Sequence, residues 1–303
     1  MTTVDHVFGG AHTEPKLQCL REYLAAFSIA LKKQNFARLY VDAFAGTGSR
    51  AEVRPAIPIL GSLEPEVVTT QGSADIALNT QPQFHHISLI EQDPSKIGAL
   101  KDVITRSGHK GAHVRQGDAN QIVKAICRNT PWRGRGTIGN GIRGVIFLDP
   151  YGMEVEWSTV EAIAQTEALD CWYFFPLSGL YRNAPRDPLK LDPVKVSSLN
   201  RVLGTQDWRD ALYDKPPPVE TMFGMFDGEE RRIEVDAIEA YVQTRLASVF
   251  KGTVLKPMRI NNALGKPLAS LFFAVSNRSP AAVGLATSIA SHILKAGISS
   301  QVR

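Results

Sequence analysis

Four acids stand directly behind short runs that read as strands. They are Asp42 after Leu39-Tyr-Val, Glu91 after Ile87-Ser-Leu-Ile, Asp118 after Ala112 to Gly117, and Asp149 after Val145-Ile-Phe-Leu. In an open α/β sheet the carboxyl ends of the strands face the ligand crevice, so acids at those tips can accept hydrogen bonds from a bound group. Behind the first strand lies Ala43-Phe-Ala-Gly-Thr-Gly-Ser49, whose Gly46 and Gly48 permit positive φ and leave room for close approach of a ligand. Glu91 is placed to accept from the two hydroxyls of a ribose, with a surface or capping role as the bland alternative. Asp118, one strand further, could read a base amino group, although capping the next helix explains it equally well. Asp93-Pro94 opens the helix after Glu91.

The fourth tip, Asp149-Pro150-Tyr151-Gly152, has a different chemistry. Proline donates no backbone hydrogen bond and keeps its neighbours extended. Asp149 is thereby left to accept from a substrate N–H or O–H, and Tyr151 to stack on a planar group. The alternative is an ordinary strand-to-turn Asp-Pro. Lys16 lies near the apolar face of the first helix, where a solvated lysine is the simpler reading. Arg182, in Leu180-Tyr-Arg-Asn183, is a candidate for an anionic substrate group or a surface ion pair. Arg128 to Arg143 holds four arginines, four glycines and Trp132. Cations with an interleaved aromatic could track a phosphate backbone and stack on a base, and a soluble glycine-rich loop would look the same.

The elements that must position these residues follow from periodicity. Leu17, Leu20, Leu24, Phe27 and Leu31 recur at helical spacing, so Thr13 to about Lys33 is expected to be a helix capped by Thr13. A strand over Leu39–Phe44 follows. Arg50 to Gln71 is rich in proline and glycine and reads as an insertion or mobile loop. Ser73 reads as the cap of a delayed crossover helix. Strands are expected over 84–90, 112–117 and 144–148, with helices from Pro94 to about Ser107 and through Cys127. A fifth strand covers 169–175. Proline-rich residues from about 178 to 230 suggest an inserted helical lid above the crevice. A helix over 232–250 leads into two strands, 252–260 and 268–276, joined by a turn too short for anything but antiparallel pairing. A final helix spans 281–295. The expected fold is α/β, a Rossmann-like doubly wound sheet of about seven strands with one antiparallel strand, in a single domain over residues 1–303.

Composition sets the outer bounds. The chain has 303 residues, 44% hydrophobic and 21% charged, which suits a globular α/β protein. Its net charge of +4 allows an anionic partner without demanding one. No apolar run reaches the roughly 18 residues of a membrane helix, and Met1 to His12 lacks the pattern of a signal peptide. A cytoplasmic location is therefore expected. Three scattered cysteines (Cys19, Cys127, Cys171) argue against a disulfide framework and a zinc site.

The order of glycine loop and strand-tip acids resembles class I S-adenosylmethionine-dependent methyltransferases. That resemblance implies that the loop at Asp42, Phe44, Gly46 and Gly48 lies under the methionyl part of the cofactor. It implies further that Glu91, with Asp93 beside it, binds ribose, that Asp118 reads the adenine amino group, and that Asp149-Pro150-Tyr151 faces the methyl acceptor. More closely, Thr13-Glu-Pro-Lys16, Val41 to Gly48, Gly72-Ser73-Ala, Leu148 to Gly152 and Leu180-Tyr-Arg182 resemble the three-Cys-motif partner protein family. The likeness spans about residues 12–280. It implies a methyltransferase-like fold acting beside a radical-SAM-like three-Cys-motif protein, with Ser73 among the cofactor-binding residues and Lys16 and Arg182 near the substrate; Trp132, from the arginine-rich stretch, is a further substrate-side candidate. Asp149-Pro-Tyr-Gly also resembles the Asp/Asn-Pro-Pro-aromatic signature of amino-group methyltransferases, lacking its second proline, so a nucleobase acceptor is suggested. The gap from Gly48 to Glu91 exceeds the roughly 20 residues usual in dinucleotide folds. Two other functions stay open: a non-catalytic module that binds the cofactor as another enzyme's specificity partner, and an oxidoreductase. The latter lacks the third glycine of its fingerprint and a hydride-transfer base.

Overall fold

A computed structural model describes residues 13–54, 66–134, 141–213, 219–221, 224–226, 234–262 and 264–301. Five strands form a parallel core: β1 (Ala37–Asp42), β4 (His86–Glu91), β5 (Ala112–Gln116), β6 (Ile142–Leu148) and β7 (Leu169–Phe175). Between β1 and β4 the chain makes an antiparallel pair, β2 (Ser49–Arg54) and β3 (Glu66–Gln71). This corrects the loop expected over 50–71: the ends of that insertion pair as strands, while residues 55–65 lie outside the described residues.

With β10 (Thr253–Val254), β11 (Met258–Asn261) and β12 (Pro267–Val275), the sheet has eight strands among the described residues, in the order β10-β12-β7-β6-β1-β4-β5, with β11 also paired to β12. The reversed strand is β12, antiparallel to β7. The strand expected over 252–260 is two short ones, β10 and β11, each antiparallel to β12. Pro257, which lacks an N–H, stands in the break between them. Chain order reverses about β1, which has β4 on one side and β6 on the other. That is the topological switch point, where ligands bind in folds of this kind.

Both faces of the sheet are covered. Along β1, Leu39 and Val41 join one apolar cluster while Tyr40 joins the other, and β6 alternates likewise. One face packs on α1 (Thr13–Ala30), α2 (Ser73–Asn79), α3 (Pro94–Ser107) and α10 (Pro280–Gln301). The other packs on α4 (Ala119–Asn129), α5 (Trp157–Gln165), α6 (Leu177–Asn183), α7 (Pro193–Leu203), α8 (Trp208–Leu212) and α9 (Val235–Val249). A small pair, β8 (Val219–Thr221) and β9 (Gly224–Phe226), follows α8.

Two expectations are refined. The segment expected to be a lid contributes Leu199, Val202, Leu203, Trp208 and Leu212 to the main cluster, so α7 and α8 are seated in the core. Residues 214–218, 222–223 and 227–233 of that stretch lie outside the described residues. Over Pro280–Ile298, α10 meets the length and mean hydropathy of a membrane-crossing helix, which the residue-by-residue reading did not find. Here it packs against α1 and β11, with Ala290 fully buried.

Candidate functional site

At the carboxyl ends of β1, β4 and β5, a cavity of about 650 Å³ opens beside the switch point. Ala43 and Phe44 line it from the turn after β1, Glu91 and Asp93 from the tip of β4, and Gly117 and Asp118 from the tip of β5. Tyr151, Glu154 and Glu156 come from the segment after β6, and Arg201 from α7. Phe44, Glu91, Asp93, Asp118 and Tyr151, separated widely in sequence, thus share one wall-to-wall space.

Local bonding explains why each sits there. The N–H of Ala45 donates to the Ile90 carbonyl at 2.9 Å, and that of Gly48 donates back to Ala45 at 3.2 Å. These bonds fold the turn over the end of β4. Gly46 and Gly48 hold φ of 62° and 76°, the left-handed region that glycine enters without strain. Gly48 is buried, and a Cβ there would touch Ala74 and Val103, so its smallness serves the packing of α2 and α3 as well as the turn. Neither glycine is among the cavity's lining residues.

Glu91 Oε1 accepts from the Asp93 N–H at 2.8 Å, which fixes the carboxylate at the strand tip. Asp93 caps α3, accepting from the Ser95 N–H and hydroxyl, and these bonds hold its carboxyl below the usual range. Asp118 caps α4 through the Gln121 N–H at 2.8 Å. Both residues therefore cap a helix and line the cavity, so the capping role leaves Asp118 at the cavity wall. Ser73 is not the cap of α2: that position is Gly72, with no side-chain cap. Its hydroxyl instead hydrogen-bonds Asp42.

Asp42 is fully buried beneath the turn. It accepts from the Phe44 N–H at 3.3 Å and the Tyr40 hydroxyl at 3.2 Å. Burial pushes its carboxyl up to about 6; the Ser73, Phe44 and Tyr40 hydrogen bonds pull it down, while the nearby Asp149 carboxylate pushes it further up. Asp149 receives Lys16 Nζ on both oxygens, at 2.6 and 2.7 Å. The pair is nearly buried, with side chains 8% and 13% exposed, and the ammonium also sits 4.1 Å over the Phe174 ring. Lys16 is therefore not the solvated lysine of the simpler reading. Pro150 is buried behind the tip, whereas Tyr151 is 69% exposed at the cavity rim with Lys96 over its ring.

Several lining residues carried no motif. Arg201 donates to the carbonyls of Met153 and Glu154 at 2.6 and 3.1 Å, pinning the segment after Tyr151. Asn120 holds the same segment from α4, donating to the Glu154 carbonyl and accepting the Glu156 N–H. Lys124 pairs with Glu156 and lowers its carboxyl pKa.

Two expected site residues are elsewhere. Trp132 lies at the opposite end of the sheet, where its carbonyl accepts the N–H of Ile142 at the start of β6. Its indole donates to the Cys127 carbonyl at 2.8 Å and packs, partly buried, against the core. Arg182 is exposed on α6 and lines neither this cavity nor the one described below. In the basic stretch, Arg133 pairs with Glu167 and Arg143 lies over Phe36, while residues 135–140 are outside the described residues.

No protein-family model and no curated protein matches the chain. Among solved structures, it is similar to a Legionella pneumophila protein at 12% identity and a TM-score of 0.46, covering 92% of each chain. It is similar to the N-terminal domain of EvdMO1, crystallised with SAH and D-fucose, at 10% identity and a TM-score of 0.39, over 91% of this chain and 88% of that one. For M. jannaschii TYW2 in complex with AdoMet the figures are 8% and 0.32, over 89% and 77%. At such distances, strand order and register define the fold of this chain, not the likenesses.

Proposed function

We propose that the chain is an S-adenosylmethionine-dependent methyltransferase with its cofactor in the cavity at the switch point. The observation that carries this reading is the convergence of Glu91 and Asp118, from neighbouring parallel strands, on the space lined by Ala43 and Phe44. The residues fit the group. The volume of about 650 Å³ suits a nucleoside-sized ligand. Phe44, Ile90 and Ala119 offer apolar surface, and the lining acids Glu91, Asp93, Asp118, Glu154 and Glu156 outnumber Lys96 and Arg201. Such a balance favours a cation, as a sulfonium is.

When bound, the cofactor supplies an electrophilic methyl group. The chain's own residues bind and orient. Glu91 keeps an oxygen beyond its bond to Asp93 for ribose hydroxyls, and Asp118 keeps one beyond its cap for an amino group. Phe44 and Tyr151 provide flat surfaces on two sides. Asp149, held by Lys16, is the acceptor-side carboxylate; both its oxygens retain lone pairs for an N–H or O–H of a nitrogen or oxygen acceptor. A nucleobase acceptor fits the exposed ring of Tyr151, and the resemblance to three-Cys-motif partner proteins supports action beside a radical-SAM-like protein.

A second reading, a cofactor-binding specificity partner without catalysis, is favoured by the Lys16–Asp149 pair itself. A carboxylate already neutralised by a nearly buried ammonium suits structure as well as chemistry. Calorimetry with S-adenosylhomocysteine tests the shared part: binding is expected, and Glu91→Ala should weaken it at least about tenfold, roughly 1.4 kcal/mol. No binding at millimolar ligand ends both readings. Binding without methyl transfer, with or without the partner, selects the second.

A further inference from the structure

At the opposite end of the sheet lies a second cavity of about 640 Å³, between α4 and the outer strands β4 and β5. A sheet face under a helix is ordinarily apolar. Here His86 and Ser88 of β4, and His113 and Arg115 of β5, lie on the α4 side, Ser88 buried and the other three exposed, while their neighbours Ile87, Leu89, Ala112 and Val114 pack on the other face. The opposing wall is apolar: Ile122 and Ile126 of α4, with Leu39 and Ile142 at the floor. No carboxylate is among the described lining residues, in contrast to the five at the switch point.

The polar row has the form of an anion site. Arg115 Nε donates to Ser88 Oγ at 2.8 Å, which steers the guanidinium and commits only one of its five N–H groups. Burial and then the neighbouring His113 and His109 lower the pKa of His86. The rim includes Asn129, Thr130 and Pro131, which belong to the acid-free, arginine-rich stretch 128–143. None of the described residues of that stretch lines the switch-point cavity. Trp132, Arg133 and Arg143 of that stretch are engaged as given above, which disfavours an extended nucleic-acid strand.

We propose that this cavity is a second ligand site, taking a small organic anion with an apolar body, a carboxylate or phosphate at Arg115 and its ring or chain against Ile122 and Ile126. The site is independent of the cofactor reading. The probes are 2-naphthoate, 1-naphthyl phosphate and the neutral 2-naphthalenemethanol, titrated calorimetrically into the full chain. Both anions should bind one to one, the better of them marking the preferred acid group, and the neutral alcohol at least about tenfold more weakly. Arg115→Gln should cost the anions at least about tenfold while leaving S-adenosylhomocysteine affinity unchanged. Ile126→Trp, which fills the space, should abolish binding; if that variant does not fold, Arg115→Gln alone decides. Equal binding of the alcohol, anion affinity unchanged in Arg115→Gln, or no saturation at millimolar probe would overturn the proposal. So would a single-stranded oligonucleotide that displaces the probes and depends equally on Arg115.

Discussion

Asp149 is the residue on which the two functional readings divide. As the acceptor-side carboxylate, its replacement in Asp149→Asn should lower kcat on the order of 10²-fold, while S-adenosylhomocysteine affinity stays within about tenfold. Equal loss of both would show that the residue supports the pocket and does not handle the acceptor. Lys16→Met probes the same pair from the other side. It strands a carboxylate that is only 13% exposed, and should cost about 3 kcal/mol in urea unfolding, most of it recovered by adding Asp149→Asn. Part of this placement was legible from residue order, because an acid directly behind a parallel strand stands at the carboxyl edge of the sheet. Glu91 and Asp118, behind β4 and β5, line the cavity for that reason, whereas Asp42 and Asp149, behind β1 and β6, stand at the same edge without lining it. Lys16 meeting Asp149 was not legible as a pair: 133 residues separate them and no local pattern encodes the contact. Arg201, Asn120 and Glu154 escaped similarly, since they serve through backbone carbonyls and tertiary placement.

Elements were read best where hydrophobic period and caps agreed. Asp93 with Pro94 marked the start of α3 correctly, and the short turn before β12 announced antiparallel pairing. The pair β2–β3 was missed because prolines and glycines in the intervening stretch outweighed the β-branched Val53, Val67, Val68, Thr69 and Thr70 at its ends. The same composition made residues beyond 178 look detachable, yet Leu199, Val202 and Trp208 tie α7 and α8 to the core. Gly204 shows how tightly. It ends α7 at φ 67°, and a Cβ there would fall 2.1 Å from the Trp157 ring, which Arg245 covers from 4.6 Å. Gly204→Ala should therefore cost on the order of 3 kcal/mol, by backbone strain and overpacking together. A change in the urea midpoint corresponding to less than about 1 kcal/mol would mean that α7 shifts freely.

At the scale of the whole molecule, buried carboxyls shape the dependence of stability on pH. Burial raises Asp170 to about 7, against the pull of the Tyr23 hydroxyl 2.6 Å away and of Arg143. Asp42 stands at about 6. With folded pKa values above the unfolded 3.8, the folded chain holds more protons between about pH 4 and pH 7. These groups therefore stabilise at low pH and lose that contribution as pH rises through the window. His85 and His86, lowered by burial, act with the opposite sign near pH 6, so wild-type stability alone is a mixture. The difference between Asp170→Asn and wild type isolates one carboxyl. It should shift in favour of the variant by up to about 1.4 kcal/mol per pH unit between pH 4 and 7, then level off. A difference that does not vary with pH would show that Asp170 titrates normally.

The first and last helices lie side by side, so closely that a Cβ on Gly297 of α10 would come within 3.3 Å of the Cys19 sulfur of α1. Lys16 is carried on that same first helix. Synthesis runs from α1 towards α10, with α2 and the strands that α1 also touches made in between. The helix that carries Lys16 therefore gains its α10 neighbour only after every strand of the main sheet has been made.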